Sequence, residues 1–195
     1  MANIKPRKIQ GVWADGFVLD LHSTSSTLLG HNAFGHPEFE THRTEMGELL
    51  YRLKYKVDQT ALTEIADTAE RFLRAWSVAF STIVPVPPTA TRKIQPLFQI
   101  VDELGRRLSV PVTRTAIRKK KQISELKNVY DFEERRHLLE DAFAVNPSEI
   151  EGRKILVIDD LYRSGATLNA VAEALTNSGA SMVYALALTQ TRKNV

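Results

Sequence analysis

Two adjacent carboxylates, Asp159 and Asp160, directly follow the apolar run Ile155-Leu156-Val157-Ile158, and after Leu161-Tyr162-Arg163 comes the small-residue stretch Ser164-Gly165-Ala166-Thr167. A continuous apolar run of this length fits a strand buried on both faces in a parallel sheet. In open α/β sheets, ligands bind beyond the carboxyl ends of such strands, which is where the two acids fall. Neighbouring carboxylates repel, so the pair needs hydroxyl donors or a cation for compensation. Vicinal sugar hydroxyls supply the first and Mg2+ the second. Residues as small as Ser164 to Thr167 let backbone N–H groups approach an anion, and they lead into a helix N-terminus whose dipole favours phosphate. The hydroxyls of Ser164 and Thr167 add donors. An ordinary strand, loop and helix with solvated acids is the plainer reading; the order of acids, small loop and helix in one segment argues for a phosphorylated sugar instead.

Several elements must hold this segment in place. Met46, Leu49, Leu50, Leu53 and Val57 recur at helical spacing, as do Leu62, Ile65, Ala66, Ala69, Phe72, Leu73 and Trp76, which predicts two amphipathic helices. Beyond them strand and helix alternate, the pattern of a parallel sheet with helical crossovers. Ala79 to Val86 reads as a core strand, Leu97 to Leu108 as a helix and Val110 to Ile117 as a returning strand. A polar, basic excursion runs from Arg118 to about Glu140, before the apolar Ala142 to Val145 and the turn Asn146-Pro147-Ser148. Leu168, Val171, Ala172 and Leu175 define the helix after the acidic segment, with Gly179 as its cap, and Met182 to Leu188 supplies a last strand. Near the start, Ile9 to Trp13 and Phe17 to Leu21 flank Asp15-Gly16 and predict a β-hairpin turning there. Residues His22 to Glu40 lack periodicity and read as surface loops. The expectation is an α/β fold with a central, mostly parallel sheet flanked by helices: an N-terminal hairpin and hood over residues 1–57 and a core over 58–195.

Ile155 to Leu168 resembles the signature that binds 5-phosphoribosyl-1-pyrophosphate (PRPP) in type I phosphoribosyltransferases, where an apolar strand, an acidic pair and a small loop follow in this order. The resemblance implies that fold. It also implies that Asp159 and Asp160 hold the ribose 2- and 3-hydroxyls and, directly or through water, Mg2+. Leu161 and Tyr162 would complete the PRPP-binding segment, and Arg163, Ser164, Gly165, Ala166 and Thr167 would cradle the 5-phosphate. Arg163 stands where the family more often has a small hydroxyl residue, so it either contacts phosphate or points to solvent. Ile83-Val84-Pro85-Val86-Pro87-Pro88 looks like the strand and turn of ComF-like proteins, a branch linked with DNA uptake. The loop that follows, with Pro88, Thr89, Thr91, Arg92 and Lys93, would hold pyrophosphate where its charge builds up. Gly47-Glu48-Leu49-Leu50-Tyr51-Arg52-Leu53-Lys54-Tyr55, and Gln122 ahead of Ala142-Phe143, match further ComF-like patterns. Two departures mark a divergent branch: the cysteine-built zinc ribbon common in ComF-like proteins has no counterpart, and the spacing from Gln122 to Phe143 is longer than usual. Lys119, Lys120, Lys121 and Gln122, with Arg118, sit where the family places a mobile loop that closes over PRPP; a solvated basic loop explains the same residues. The implied activity is transfer of the 5-phosphoribosyl group to a nitrogen acceptor with release of pyrophosphate. A PRPP-sensing protein without turnover, or a ComF-like accessory of single-stranded DNA, stands as the alternative.

Composition narrows the rest. A chain of 195 residues, 43% hydrophobic and 25% charged, can bury one sizeable core. Zero cysteines exclude disulfides, thiolate nucleophiles and cysteine-ligated metal. The net charge of +3 permits a polyanionic ligand without demanding nucleic acid. Absence of a long apolar stretch, and a start without a signal-peptide core, lead to the expectation of a cytoplasmic protein with no membrane partner. PRPP and pyrophosphate are the expected small-molecule partners, with single-stranded DNA and a second copy of the chain as further candidates. His22, His31, His36 and His42 cluster in sequence, yet their spacing matches no metal motif. Trp13, Trp76 and Phe17 read as packing residues rather than a base-stacking platform.

Overall fold

The computed structural model describes residues 1–32, 34–88, 95–120 and 142–192. In chain order its elements are β1 (Arg7–Lys8), β2 (Asp15–Leu21), β3 (Ser23–His31), β4 (Pro37–Arg43), α1 (Glu45–Tyr55), α2 (Gln59–Trp76), β5 (Thr82–Pro85), α3 (Pro96–Leu108), β6 (Ile117–Lys119), β7 (Phe143–Val145), a 3-10 turn at Pro147–Glu149, β8 (Lys154–Tyr162), α4 (Ala166–Asn177) and β9 (Met182–Gln190). The main sheet has the order β1-β2-β9-β8-β5, parallel throughout except for β1.

The apolar run of β8 explains its central place. Successive side chains of a strand point to opposite faces. Ile155 and Val157 therefore pack with Leu168, Val171 and Leu175 of α4 on one side, while Leu156 and Ile158 meet Leu50, Ile65, Ile100 and Leu104 of α1, α2 and α3 on the other. Helices on both faces of a mostly parallel sheet are the α/β architecture expected. Helix starts are set locally: Thr44 accepts the Gly47 N–H at the head of α1, and Asp58 accepts the Thr60 N–H at the head of α2. Gly179, at φ +101°, follows the last residues of α4 in the left-handed conformation a glycine cap supplies.

Three expectations change. The N-terminal hairpin exists, but its first strand is Arg7–Lys8, and Asp15 and Gly16 lie inside β2 rather than in the turn. Parallel pairing with β9, from Asp15 opposite Tyr184 to Leu21 opposite Gln190, draws these two residues into the sheet. Trp13 fills the connection instead, buried with its Nε1 donating to the Ile9 carbonyl, while Phe17 packs edge-on against Phe72 and Trp76. Residues 22–40, read as loops, contain β3 and contribute to β4, which pair antiparallel around a turn in which Asn32 Oδ1 accepts the N–H groups of Phe34 and His36. Most of this hairpin is exposed, so burial imposes no alternation on its sequence. Finally, Val110 to Ile117 is not a full strand: Val112 makes one isolated bridge to Ile83, and pairing resumes only at β6, in a separate two-stranded sheet with β7. Pro111, without an N–H, interrupts any ladder there.

Gly47 shows how tightly α1 is seated. A Cβ at this position would collide with the carbonyl of His22, which is backbone and cannot swing away. Gly47→Ala is expected to destabilise the fold by about 1–3 kcal/mol through overpacking, seen as a lowered thermal midpoint by circular dichroism. An unchanged midpoint would mean that α1 is not held against β2.

Candidate functional site

The carboxyl ends of β2, β9 and β8 lie side by side, with Leu21 and Tyr162 both paired to Gln190. Asp159 and Asp160 occupy the partly buried second half of β8. Asp159 Oδ1 accepts the Asp160 N–H at 2.8 Å. Burial, reinforced by the charge of Asp160, pushes the Asp159 carboxyl up to about 7, against the opposing pull of Lys54 and of backbone N–H donors. Asp160 has a different counterweight: Lys54 Nζ of α1 stands 2.6 Å from its Oδ2, with the lysine side chain only 18% exposed. One carboxylate is thus matched by a cation and the other is driven toward its neutral form.

The loop after β8 turns at Gly165, whose φ of +87° is the left-handed region that favours glycine. A Cβ there would lie 2.5 Å from the Tyr162 hydroxyl, so the tyrosine and the glycine fix each other. Tyr162 is half-buried, and burial pushes its phenol upward. Gly165 is also the N-cap of α4 and supplies no side-chain cap, while Ser164 Oγ accepts the Ala166 N–H at 3.4 Å. Asn169 steadies the turn, donating from Nδ2 to the Gly165 carbonyl at 3.0 Å and accepting the Val12 N–H. A helix N-terminus without its own side-chain cap is a ready place for an anion.

Asp159, Asp160, Leu161, Tyr162, Arg163, Ser164, Gly165, Ala166 and Thr167 therefore gather at one end of the sheet, with Arg163 exposed. Pro88 is exposed beyond β5, whose path continues as the Val86 N–H donates to the Ile158 carbonyl. Thr89, Thr91, Arg92 and Lys93, like Lys121 and Gln122, lie outside the described residues. Lys119 ends β6 opposite Phe143, and the Lys120 N–H donates to the Ala142 carbonyl.

Four residues of the site had no chemistry assigned from sequence: Lys54, His22, Thr189 and Arg43. Thr189 is fully buried, and its hydroxyl donates to the Asp160 carbonyl at 2.9 Å. His22 Nδ1 lies 3.2 Å from that same hydroxyl, and its ring is held below the usual histidine range by burial and by the charges of Lys54 and Arg43, against an opposing pull from Asp160. Arg43 stacks over Tyr51 at 3.9 Å and leaves its buried Nε without a partner among the described residues. Only Lys54 carried a signal, inside the Gly47–Tyr55 pattern. Among the described residues no three metal-binding side chains converge. An all-protein metal cage is thus not built from them. The donor set, two carboxylates with one already engaged by Lys54, instead suits a hard cation such as Mg2+ that takes one or two protein oxygens and completes its shell from ligand and water.

The chain resembles known proteins in sequence and in fold. Residues 98–194 match the family described as phosphoribosyl transferase domain, a span that includes β8, its loop and α4. The chain is 27% identical over 176 residues to the competence protein ComFC of Bacillus subtilis, covering 90% of this chain and 70% of that one. It is 36% identical over 58 residues to the ribose-phosphate pyrophosphokinase of Methanopyrus kandleri, 29% of this chain and 20% of that protein. Among solved structures, the adenine phosphoribosyltransferase of Thermoanaerobacter pseudethanolicus superposes with a TM-score of 0.50 at 18% identity, over 85% of this chain and 83% of that one, a likeness of fold.

Proposed function

We propose that this chain, a member of the phosphoribosyltransferase family, binds PRPP at the carboxyl end of β8 and transfers its 5-phosphoribosyl group to a nitrogen acceptor, releasing pyrophosphate. The observation that carries the reading is one continuous segment: an acidic pair on a strand end, a glycine-set turn and a helix N-terminus whose N-cap residue, Gly165, supplies no side-chain cap. Asp159 and Asp160 accept hydrogen bonds from the ribose 2- and 3-hydroxyls. Ser164, Gly165, Ala166 and Thr167 receive the 5-phosphate on backbone N–H groups and hydroxyls, with Arg163 beside them. Lys54 holds the Asp160 carboxylate in one position before the ligand arrives. Asp159 and Asp160 would hold Mg2+ directly or through water, and the bound cation would neutralise diphosphate charge. By the resemblance, Pro88, Thr89, Arg92 and Lys93 would serve pyrophosphate and Lys119 to Gln122 would serve bound PRPP. The protein's work is positioning and electrostatics, with no covalent intermediate.

A test is pyrophosphate release from PRPP and Mg2+ in the presence of ammonia or nucleobases. Release that depends on the acceptor and saturates with PRPP is expected. The relation to a competence protein favours a second reading, in which PRPP is bound without turnover and single-stranded DNA is the partner. PRPP binding without release, together with salt-dependent anisotropy of labelled single-stranded DNA, would favour that reading over transfer.

A further inference from the structure

Thr189 and His22 together fix where one proton sits. The Asp160 carbonyl has no proton to give, so its 2.9 Å contact with Thr189 Oγ1 consumes the single hydroxyl proton. The 3.2 Å contact between Thr189 Oγ1 and His22 Nδ1 must then be made by an Nδ1–H donating to the hydroxyl oxygen. A neutral imidazole carries only one N–H, which leaves Nε2 as a bare lone pair. Lys54 and Arg43 both disfavour a charged ring, and Asp160 opposes them. Among the described residues the ring makes no other hydrogen bond.

The ring is also well anchored. His22 follows the last residue of β2, its N–H donates to the Gln190 carbonyl at 2.7 Å, and its own carbonyl is the wall against which Gly47 packs. It stands at the same carboxyl ends as Asp160, two hydrogen bonds away through Thr189. We propose that His22 Nε2 accepts the hydrogen of the nitrogen acceptor in the phosphoribosyl transfer, making His22 the acceptor-side base. The inference rests on the transfer reading above and assigns the acceptor class: a neutral nitrogen that still carries a proton, as in ammonia, an amine or an N–H heterocycle. The step balances. The nitrogen lone pair forms the bond to ribose C1, the C1–O bond breaks with its electron pair leaving on pyrophosphate, and the proton released by the nitrogen passes to Nε2.

The test uses the whole chain with PRPP and Mg2+. Long-range 15N–1H spectra at neutral pH are expected to find His22 uncharged, protonated at Nδ1 and bare at Nε2; the opposite tautomer or an imidazolium would overturn the assignment. His22→Asn retains a donor near the Nδ1 position and removes Nε2. This variant is expected to keep the wild-type melting temperature and PRPP dissociation constant while ammonia- or adenine-driven pyrophosphate release falls by roughly 10²–10⁴-fold. Equal rates in variant and wild type would overturn it, as would a wild type that binds PRPP yet releases nothing with either acceptor. Calorimetry on the same samples separates the two failures: a wild type that does not bind PRPP, or binds it without release, defeats the transfer reading itself, whereas PRPP binding with release at equal rates in wild type and variant defeats only the role of His22. Should the variant not fold, the wild-type spectra still decide.

Discussion

Asp159→Asn is expected to raise the melting temperature of the ligand-free protein above neutral pH and, in the same molecule, to weaken PRPP binding by roughly 10–100-fold, the loss of one or two charge-assisted hydrogen bonds. The two effects have one cause. In the folded chain the Asp159 carboxyl is raised from 3.8 to about 7 by burial and by Asp160, so the folded state binds its proton more tightly than the unfolded state does. Between these values the unfolded carboxyl has already ionised, and stability therefore declines as pH rises through this window. Asparagine removes that dependence. Its stabilising effect should be largest above about pH 7 and fade toward about pH 4, where the wild-type carboxyl is protonated in both states. Asp160→Asn should behave oppositely, because it strands Lys54, 18% exposed, beside a neutral amide. A loss of about 1–2 kcal/mol is expected, smaller than for a fully buried pair because Asp160 itself keeps some exposure. Thermal melts across the pH series, with PRPP titrations of each variant, check both. A destabilised Asp159→Asn with wild-type affinity would make the acid a structural group.

Gly165→Ala should damage the other half of the site. Its φ of +87° strains any residue with a Cβ, and that atom would meet the Tyr162 hydroxyl at 2.5 Å and its ring carbon at 2.9 Å. Strain and overlap together amount to about 1–3 kcal/mol, relieved if the turn opens and the backbone N–H groups turn away from the 5-phosphate. PRPP affinity is expected to fall roughly 10–100-fold, and ribose 5-phosphate affinity by the same factor, since both present the same group to this loop. A loss confined to PRPP would place the 5-phosphate elsewhere.

What the sequence disclosed depended on how local each signal was. The run from Ile155 to Thr167 carries strand, acids, loop and helix start consecutively, so its conformation could be read from neighbouring residues. Helices α1, α2 and α3 were legible because one face of each is buried and the 3.6-residue period survives. The β3–β4 hairpin was not, because neither face is buried along most of its length. Pairing of β2 with β9 joins residues at opposite ends of the chain, and no local pattern announces it. The same distance hid the partners of the acidic pair: Lys54 reaches Asp160 from α1, and His22 reaches Thr189 from the end of β2. Each is an ordinary polar residue until the fold places it. The proposed pyrophosphate loop beyond Pro88 and the basic segment from Lys121 onward lie outside the described residues, and their roles rest on resemblance alone.

Titration calorimetry of the wild-type chain with PRPP, in the presence and absence of Mg2+, tests the central claim most directly. The account predicts one saturable site per chain that requires Mg2+ for full affinity, binds ribose 5-phosphate more weakly, and is weakened when Asp159 or Asp160 becomes asparagine. A folded wild-type protein that shows no saturable heat with PRPP and Mg2+ would contradict it.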